Sequence, residues 1–198
     1  MDKVIKDISE QMAASWRCFL FFSLLTGLAY PLLVTALGNF LLPFQAQGSL
    51  VASPTGQLAG SSLLGQEFKN ARYFHGRPSS TTPAYNAASS SASNLASSNA
   101  DFRKIVAERL SSYRLENGLA ASEPVPVEMV TASASGLDPD ISLLAARQQT
   151  ARVARARALS QERLLKLVDS ALEDRSLGLL GEPRVNVLKL NMALDNLL

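Results

Sequence analysis

Cys18–Leu42, CFLFFSLLTGLAYPLLVTALGNFLL, contains no Asp, Glu, Lys or Arg. As a helix, about 25 residues cover the roughly 30 Å hydrocarbon core of a bilayer with some tilt. A charge at mid-bilayer costs about 3 kcal/mol on insertion scales, so an uncharged run of this length is what a spanning helix requires. Pro31 within the run is a candidate kink, which membrane helices tolerate. The rest of the 198-residue chain divides around it. Residues 1–17 form a short tail, 18–42 the transmembrane helix, and 43–198 a domain of about 150 residues, large enough to bury a core without disulfides.

Basic residues orient the span. Lys3, Lys6 and Arg17 precede it, and after it no Lys or Arg occurs before Lys69. Lys and Arg accumulate on the cytoplasmic side, so the tail is expected inside and the large domain outside. Asp2, Asp7 and Glu10 do not weigh against this, because the bias counts cations. A cleavable signal peptide is the competing reading, with Ala46-Gln47-Gly48 as a small-x-small site. The apolar run is longer than an ordinary signal core, which favours an uncleaved anchor. In the tail, Val4, Ile5, Ile8, Met12 and Trp16 fall near helical spacing, and Trp16 with Arg17 suits the headgroup level.

The formal net charge of +2 is too small for a nucleic-acid binder. One cysteine, Cys18, excludes a disulfide framework and a thiolate metal site, and one histidine, His75, excludes a multi-histidine cluster.

Beyond Pro43 the chain reads as a mixed α/β (α+β) domain. Residues 48–51 and 57–64 are expected as short strands around a turn at Ser53-Pro-Thr-Gly56. Lys69–Asn99 is rich in Ser, Ala and Thr, the composition of a flexible loop, yet Tyr73, Phe74, His75 and Arg77 are unlike a linker and fit an anchor or a partner contact. Asp101–Glu116 has Phe102, Ile105, Val106, Leu110 and Tyr113 on one helical face, with Asn99 as N-cap and Gly118 as stop. Alternation of Val125, Val127 and Met129 predicts a strand leading into the loop SASGLDPD. Ile141–Ala158 reads as an Ala- and Arg-rich helix. Ser160 caps the next, whose stripe Leu164, Leu165, Val168, Ala171, Leu172 faces a core and which Gly178 and Gly181 break. Val185 and Val187 predict a last strand, and Leu190, Ala193, Leu194 and Leu197 a terminal helix.

Several separate pieces of this domain carry a resemblance: Tyr73-Phe-His-Gly-Arg-Pro-Ser79, Ser93-Asn-Leu95, Val130-Thr-Ala-Ser-Ala-Ser-Gly-Leu-Asp-Pro139, Arg152-Val-Ala-Arg-Ala-Arg157, and Leu180-Gly-Glu-Pro-Arg-Val-Asn-Val-Leu188 with Asn191 and Asp195. In this order, behind one span, they resemble the C subunit of the bacterial high-affinity potassium-transporting P-type ATPase, the Kdp complex. The sequence departs from that pattern at Ser91 and Ala92, where two glycines are usual, at Asp140, where His is frequent, and at Leu143, where Pro is frequent. The resemblance implies a non-catalytic accessory subunit that meets a potassium-channel-like A subunit, an ATP-hydrolysing B subunit and a small F subunit. It also implies one of two roles: raising the pump subunit's affinity for ATP, or stabilising the ion entrance on the outer face. An outside domain favours the second. ATP, if it is bound at all, would be bound together with the pump subunit.

The residues themselves argue against independent catalysis. There is no Asp-Lys-Thr-Gly-Thr phosphorylation site, no phosphate-binding Gly-x-x-x-x-Gly-Lys loop and no Gly-x-Ser-x-Gly elbow. A membrane-anchored enzyme or binding module of unknown substrate remains the different-class alternative, with His75 as its one candidate general base. Arg147, Arg152, Arg155 and Arg157 would make either a basic face for phosphate or anionic lipid or a solvated, salt-bridged helix face. Asp138 and Asp140 suit a turn or a cap better than a cation site. The residues expected to meet partners are Tyr73, Phe74, His75, Arg77, Asn94, Asp138, Arg152, Arg155, Arg184 and Asn186.

Overall fold

The computed structural model describes residues 2–53 and 56–197, with the side chains described from Ile5 onward. The expected turn at 53–56 falls partly on Pro54 and Thr55, which lie outside the described residues. The chain forms two compact units, Met1–Ser49 and Leu50–Leu198.

The first unit is helical: α1 (Asp2–Leu24), a π-turn (Leu25–Ala29), α2 (Tyr30–Leu41) and a single turn, α3 (Pro43–Ala46). The stretch long and apolar enough to cross a membrane is Ile5–Leu41, 37 residues, or about 55 Å of helix. No break occurs at Arg17, so the expected tail continues the same helix. The π-turn is the helix's answer to Pro31. Proline supplies no N–H, and its ring crowds the carbonyl four residues back, which is Gly27. One wider turn upstream relieves that clash: Tyr30 N–H reaches back to Leu25 O. Polar side chains in this stretch bond to their own backbone, Thr26 Oγ1 to Phe22 O at 2.7 Å and Asn39 Nδ2 to Thr35 O at 2.9 Å. Neither is left bare on an apolar helix.

The second unit is a small antiparallel sheet among helices. It opens with a hairpin, β1 (Leu50–Ala52) against β2 (Leu58–Ser61), in register Leu50–Ser61 and Val51–Gly60. After a long irregular stretch come α4 (Ala100–Asn117), a 3-10 turn (Val127–Met129), β3 (Asp140–Ile141), α5 (Leu143–Arg157), α6 (Gln161–Ser170), β4 (Leu172–Glu173), β5 (Arg184–Asn186) and α7 (Val187–Asp195). The strand order is β3-β5-β4, with Val185 opposite both Ile141 and Leu172. α4 to α7 and this sheet enclose the core, in which Phe74, Leu164, Val168, Val185, Leu190 and Leu194 are fully buried.

Caps fall where the sequence places them. Asn99 accepts from Asp101 N and Phe102 N, Gly118 ends α4 in the left-handed conformation at φ 68°, and Ser160 starts α6. Four expectations are corrected. Val125–Met129 does not make a strand. Pro124 and Pro126 remove ladder donors, and Val127 O instead accepts from Val130 N and Thr131 N in the 3-10 turn. Ile141 belongs to β3, and Ser142 caps α5. α6 stops at Ser170, so Leu172 packs half-buried from a strand, and Gly178 and Gly181 lie in the β4–β5 connection instead of ending the helix. Val187 starts α7 in place of extending the strand, because the Asn186 side chain accepts from Lys189 N and caps it.

The Ser-rich stretch is held down as well. Ser79 Oγ donates to Gly136 O at 2.7 Å, Thr81 Oγ1 donates to Pro83 O at 2.8 Å, and Ser91 N donates to Ser135 O at 3.1 Å. Gly136 is the tight point: its φ is +68°, and a Cβ there would lie 2.7 Å from Ser91 O and 2.9 Å from Thr81 Cγ2. Neither Ser91 nor Ala92 has a positive φ, so the two replaced glycines cost nothing in backbone freedom here. Gly136→Ala is expected to destabilise the domain by about 3 kcal/mol, combining left-handed strain with a backbone clash. Gly178→Ala, with φ +73° but nothing within 4 Å of the added carbon, should cost about 1 kcal/mol. Chemical denaturation of the two variants measures the difference.

Candidate functional site

The segment Ala71–Arg77 crosses the domain without joining any strand, and side chains from α5 and α7 satisfy its backbone. Asn191 accepts from Phe74 N at 2.8 Å and donates to Phe74 O at 2.9 Å. Gln149 does the same for the next residue, accepting from His75 N at 2.7 Å and donating to His75 O at 3.0 Å. Each buried amide thus acts as a substitute strand partner for one residue. Arg152 fills in around them. Its Nη1 donates to Ala71 O (2.8 Å) and Tyr73 O (2.9 Å), its Nη2 to Gln149 Oε1 (2.6 Å) and its Nε to Asn117 Oδ1 (3.1 Å). Arg157 donates to Arg72 O at 2.8 Å, pairs with Asp195 at 2.6 Å and stacks over the Tyr73 ring at 4.7 Å. Phe74, at 0 % exposure, is the hydrophobic plug that this clamp seats in the core.

His75 lies between opposite charges. Its Nε2 is 3.2 Å from Asn70 O and 3.3 Å from Arg152 Nη1, and its Nδ1 is 3.8 Å from Glu116. Both Nη1 protons are already given to Ala71 and Tyr73, so Nε2 keeps its proton and donates to Asn70 O. Burial first, and the Arg152 charge second, push the imidazole below its ordinary pKa, against the smaller upward pulls of Asn70 O and Glu116. His75 is therefore neutral at pH 7, and its 3.8 Å contact with the half-exposed Glu116 is not an ion pair there. A neutral histidine bonded to a backbone carbonyl, with no serine hydroxyl among its partners in the described residues, lacks the geometry of a catalytic triad.

The clamped segment runs at its His75 end into one wall, His75–Ser79, of an open cleft of about 610 Å³. Opposite it lies the face of α4 carrying Glu108, Arg109, Ser112 and Glu116, and Tyr85, Tyr113 and Met129 also line it. Arg77 closes one end. It pairs with Asp138 at 2.6 Å, the Tyr85 hydroxyl donates to its carbonyl, and a second hollow, of about 520 Å³, lies beyond this pair along Ser133–Pro139. Burial first, and the Asp138 charge second, push the Tyr85 hydroxyl up to about 12, so it stays a donor. A Cβ on Gly76 would come within 2.8 Å of that hydroxyl. The cleft's charges nearly balance, with Lys69, Arg77 and Arg109 against Glu67, Glu108 and Glu116. The wall carries neither surplus positive charge nor a glycine-rich loop of the kind that cradles phosphates.

The other expected residues scatter. Arg184 and Asn186 hold Asp140 on the sheet, at 3.1 Å and 3.0 Å, and Asn186 also donates to Ser62 O at 2.9 Å. Burial pushes the Asp140 carboxyl up, opposed by these two partners. Asp138 and Asp140 are thus committed inside the domain, and among the described residues no group of acidic, histidine or cysteine side chains is arranged to hold a metal. Leu143, the other departure, sits at the first position of α5, where a proline's missing N–H would not be missed and leucine serves equally. Asn94 is exposed with a left-handed backbone at φ 51°, and among the described residues Arg155 bonds to Ala151 O of its own helix. Arg152 and Arg157 turn inward and Arg147 pairs with Asp169 at 2.8 Å, so the four arginines share no basic face. Sequence reasoning missed Gln149 and Asn117. The signal was present: Ala145, Ala146, Gln149, Arg152 and Val153 keep the i, i+1, i+4, i+7, i+8 spacing of a buried stripe, with two polar residues set in it.

Taken together, these features define a class: a small mixed helix–sheet domain behind one helix long and apolar enough to span a membrane, with an open cleft and, among the described residues, no group arranged to hold a metal. Residues 12–196 match the family described as KdpC: K+-transporting ATPase, c chain. The chain is 53 % identical over 185 residues to the potassium-transporting ATPase KdpC subunit of Methylibium petroleiphilum, covering 93 % of this chain and 96 % of that one. It is 46 % identical over 188 residues to the protein of the same name from Mycobacterium tuberculosis, covering 95 % and 99 %. The chain belongs to the KdpC family.

Gln149→Leu strands the polar groups of His75 and is expected to cost about 3 kcal/mol. Asn191→Leu should cost a similar amount at Phe74. The double variant should lose less than the sum, because either change already frees the segment, and a denaturant double-mutant cycle measures this. His75 favours its neutral form when folded, so its contribution is complete above the unfolded pKa near 6.5 and is lost as pH falls toward the lower folded value. His75→Gln should flatten this part of the stability–pH curve below pH 6.5.

Proposed function

We propose that this chain is a non-catalytic accessory subunit of an ATP-driven potassium uptake pump. In this reading Ile5–Leu41 spans the inner membrane with the N-terminus inside, and the domain lies outside. The cleft receives a polar segment of a partner subunit, either the channel-like A or the ATP-hydrolysing B subunit, with the small F subunit in the same complex. Membership of the KdpC family and the one candidate span support the pump and the membrane. The observation that carries the docking role is the clamp: two amides and a guanidinium hold the backbone of Tyr73, Phe74 and His75, and His75 leads straight into the cleft-lining residues Gly76–Ser79, so the surface is preorganised before a partner arrives. The balanced charge of the cleft favours a polar peptide over a nucleotide. Raising the pump subunit's affinity for ATP, the other role the resemblance implies, would fall to the tail and the inner end of the helix, because ATP is cytoplasmic.

Two experiments test this. Ser112 is exposed on the cleft wall, and Ser112→Trp fills the cleft. Affinity-tagged full-length chain, purified in detergent from cells expressing the whole operon, should bring down the channel and pump subunits. Ser112→Trp should reduce their recovery at least about tenfold, the equivalent of 1.4 kcal/mol, with unchanged melting. A wild-type chain that purifies alone would refute the complex, and an undiminished Ser112→Trp complex would refute the cleft. For topology, Ser90→Cys in a Cys18→Ser background should react with an impermeant maleimide on intact cells. Reaction only after lysis would place the domain inside.

A further inference from the structure

One apolar feature serves neither the core nor the cleft. Residues 174–183 connect β4 to β5 and narrow to an ordered tip. Ser176 and Leu180 exchange two backbone hydrogen bonds, at 2.8 and 3.0 Å, Gly178 N bonds to Arg175 O at 3.0 Å, and Arg175 closes the neck on Glu182 at 2.8 Å. On this tip Leu177, Leu179 and Leu180 are 91 %, 80 % and 65 % exposed. Leu177 also holds a positive φ of 56°, beside Gly178 at 73°. A side chain other than glycine, asparagine or aspartate rarely adopts that conformation. The turn thus spends backbone strain on displaying leucines to solvent, and nothing within the domain recovers it.

We propose that this tip inserts into the boundary between headgroups and acyl chains of a lipid bilayer. Three observations select lipid over protein. Three side chains fall far short of the roughly 800 Å² per partner that a specific protein interface buries. The tip has no aromatic residue, its one arginine is tied to Glu182, and leucine is under-represented among the residues that anchor protein partners. Leucine is also among the residues that enter hydrocarbon most favourably, and a bilayer asks for no shape complement. Only residues 42–49 separate α2 from β1, so the chain keeps the domain on a short tether to the helix. This inference rests on the reading of Ile5–Leu41 as a span, which then tethers the domain to a lipid surface and makes weak insertion effective.

The test uses the full chain with Cys18→Ser, reconstituted in vesicles of phosphatidylcholine and phosphatidylglycerol. A polarity-sensitive fluorophore is placed at Leu179→Cys, at Leu33→Cys in α2, or at Ser111→Cys on the exposed side of α4. The Leu179 site should show blue-shifted emission and lose most of it to nitroxides carried near the lipid headgroups, as the Leu33 site does to nitroxides deeper in the chains. The Ser111 site should stay water-like, and adding Leu177→Ser and Leu180→Ser should return the Leu179 site to water-like emission. A water-like Leu179 site beside a buried Leu33 site overturns the insertion alone. A water-like Leu33 site overturns the span and the insertion with it. Shielding of Leu179 that appears only with co-reconstituted partner subunits, without quenching by lipid nitroxides, assigns the tip to a protein and overturns the proposal.

Discussion

The backbone of Phe74 is buried, and that of His75 half-buried, without a strand partner, and everything nearby follows from how its polar groups are met. An unpaired buried N–H or C=O costs about as much as a lost hydrogen bond, and this segment would bury four. Asn191 and Gln149 each take one N–H and one C=O with the two ends of a single amide. Arg152 then takes the carbonyls of Ala71 and Tyr73. The arrangement joins α4, α5 and α7 through one extended segment, because Asn117, Gln149 and Asn191 come from different helices. It also explains how a sheet with strands of only two or three residues supports a domain of this size.

The same constraint shapes the surface. Once Phe74 is seated inward and His75 is held neutral beside Arg152, the next residues, Gly76 to Ser79, run along the cleft wall. Tyr85 closes over Gly76, and Arg77 locks to Asp138. A wall fixed by buried hydrogen bonds loses little entropy on binding, as the proposed docking role requires. The cleft and the leucine tip are chemically distinct, one polar and concave, the other apolar and projecting. They suit different neighbours.

Regular elements were legible wherever local chemistry decides them. The Asn99 and Ser160 caps and the Gly118 stop act within one turn, and the structure has each in place, while the uncharged run falls, up to Leu41, inside the longer apolar stretch Ile5–Leu41. Elements decided by tertiary pairing were less legible. Two-residue strands such as β3 and β4 carry no periodicity, so Ile141 and Leu172 were assigned to neighbouring helices that share their hydrophobicity. Alternation at Val125–Met129 imitated a strand because two prolines spaced the valines. At the site, Tyr73–Arg77 stood out as residues a linker would not carry. Their partners did not, because Gln149 and Arg152 read as surface residues until their stripe positions beside Ala145 and Val153 are noticed.

Through this clamp, a segment without regular secondary structure is held as firmly as the core. Site-resolved amide hydrogen exchange on the full-length chain tests it most directly. If the side-chain clamp acts as a strand partner, the amides of Phe74 and His75 exchange only through global unfolding, at rates matching Val185 at the centre of the sheet. Exchange at the rate of the exposed amides of Ser97 and Ser98 would show that the clamp opens locally, and would contradict a preformed cleft.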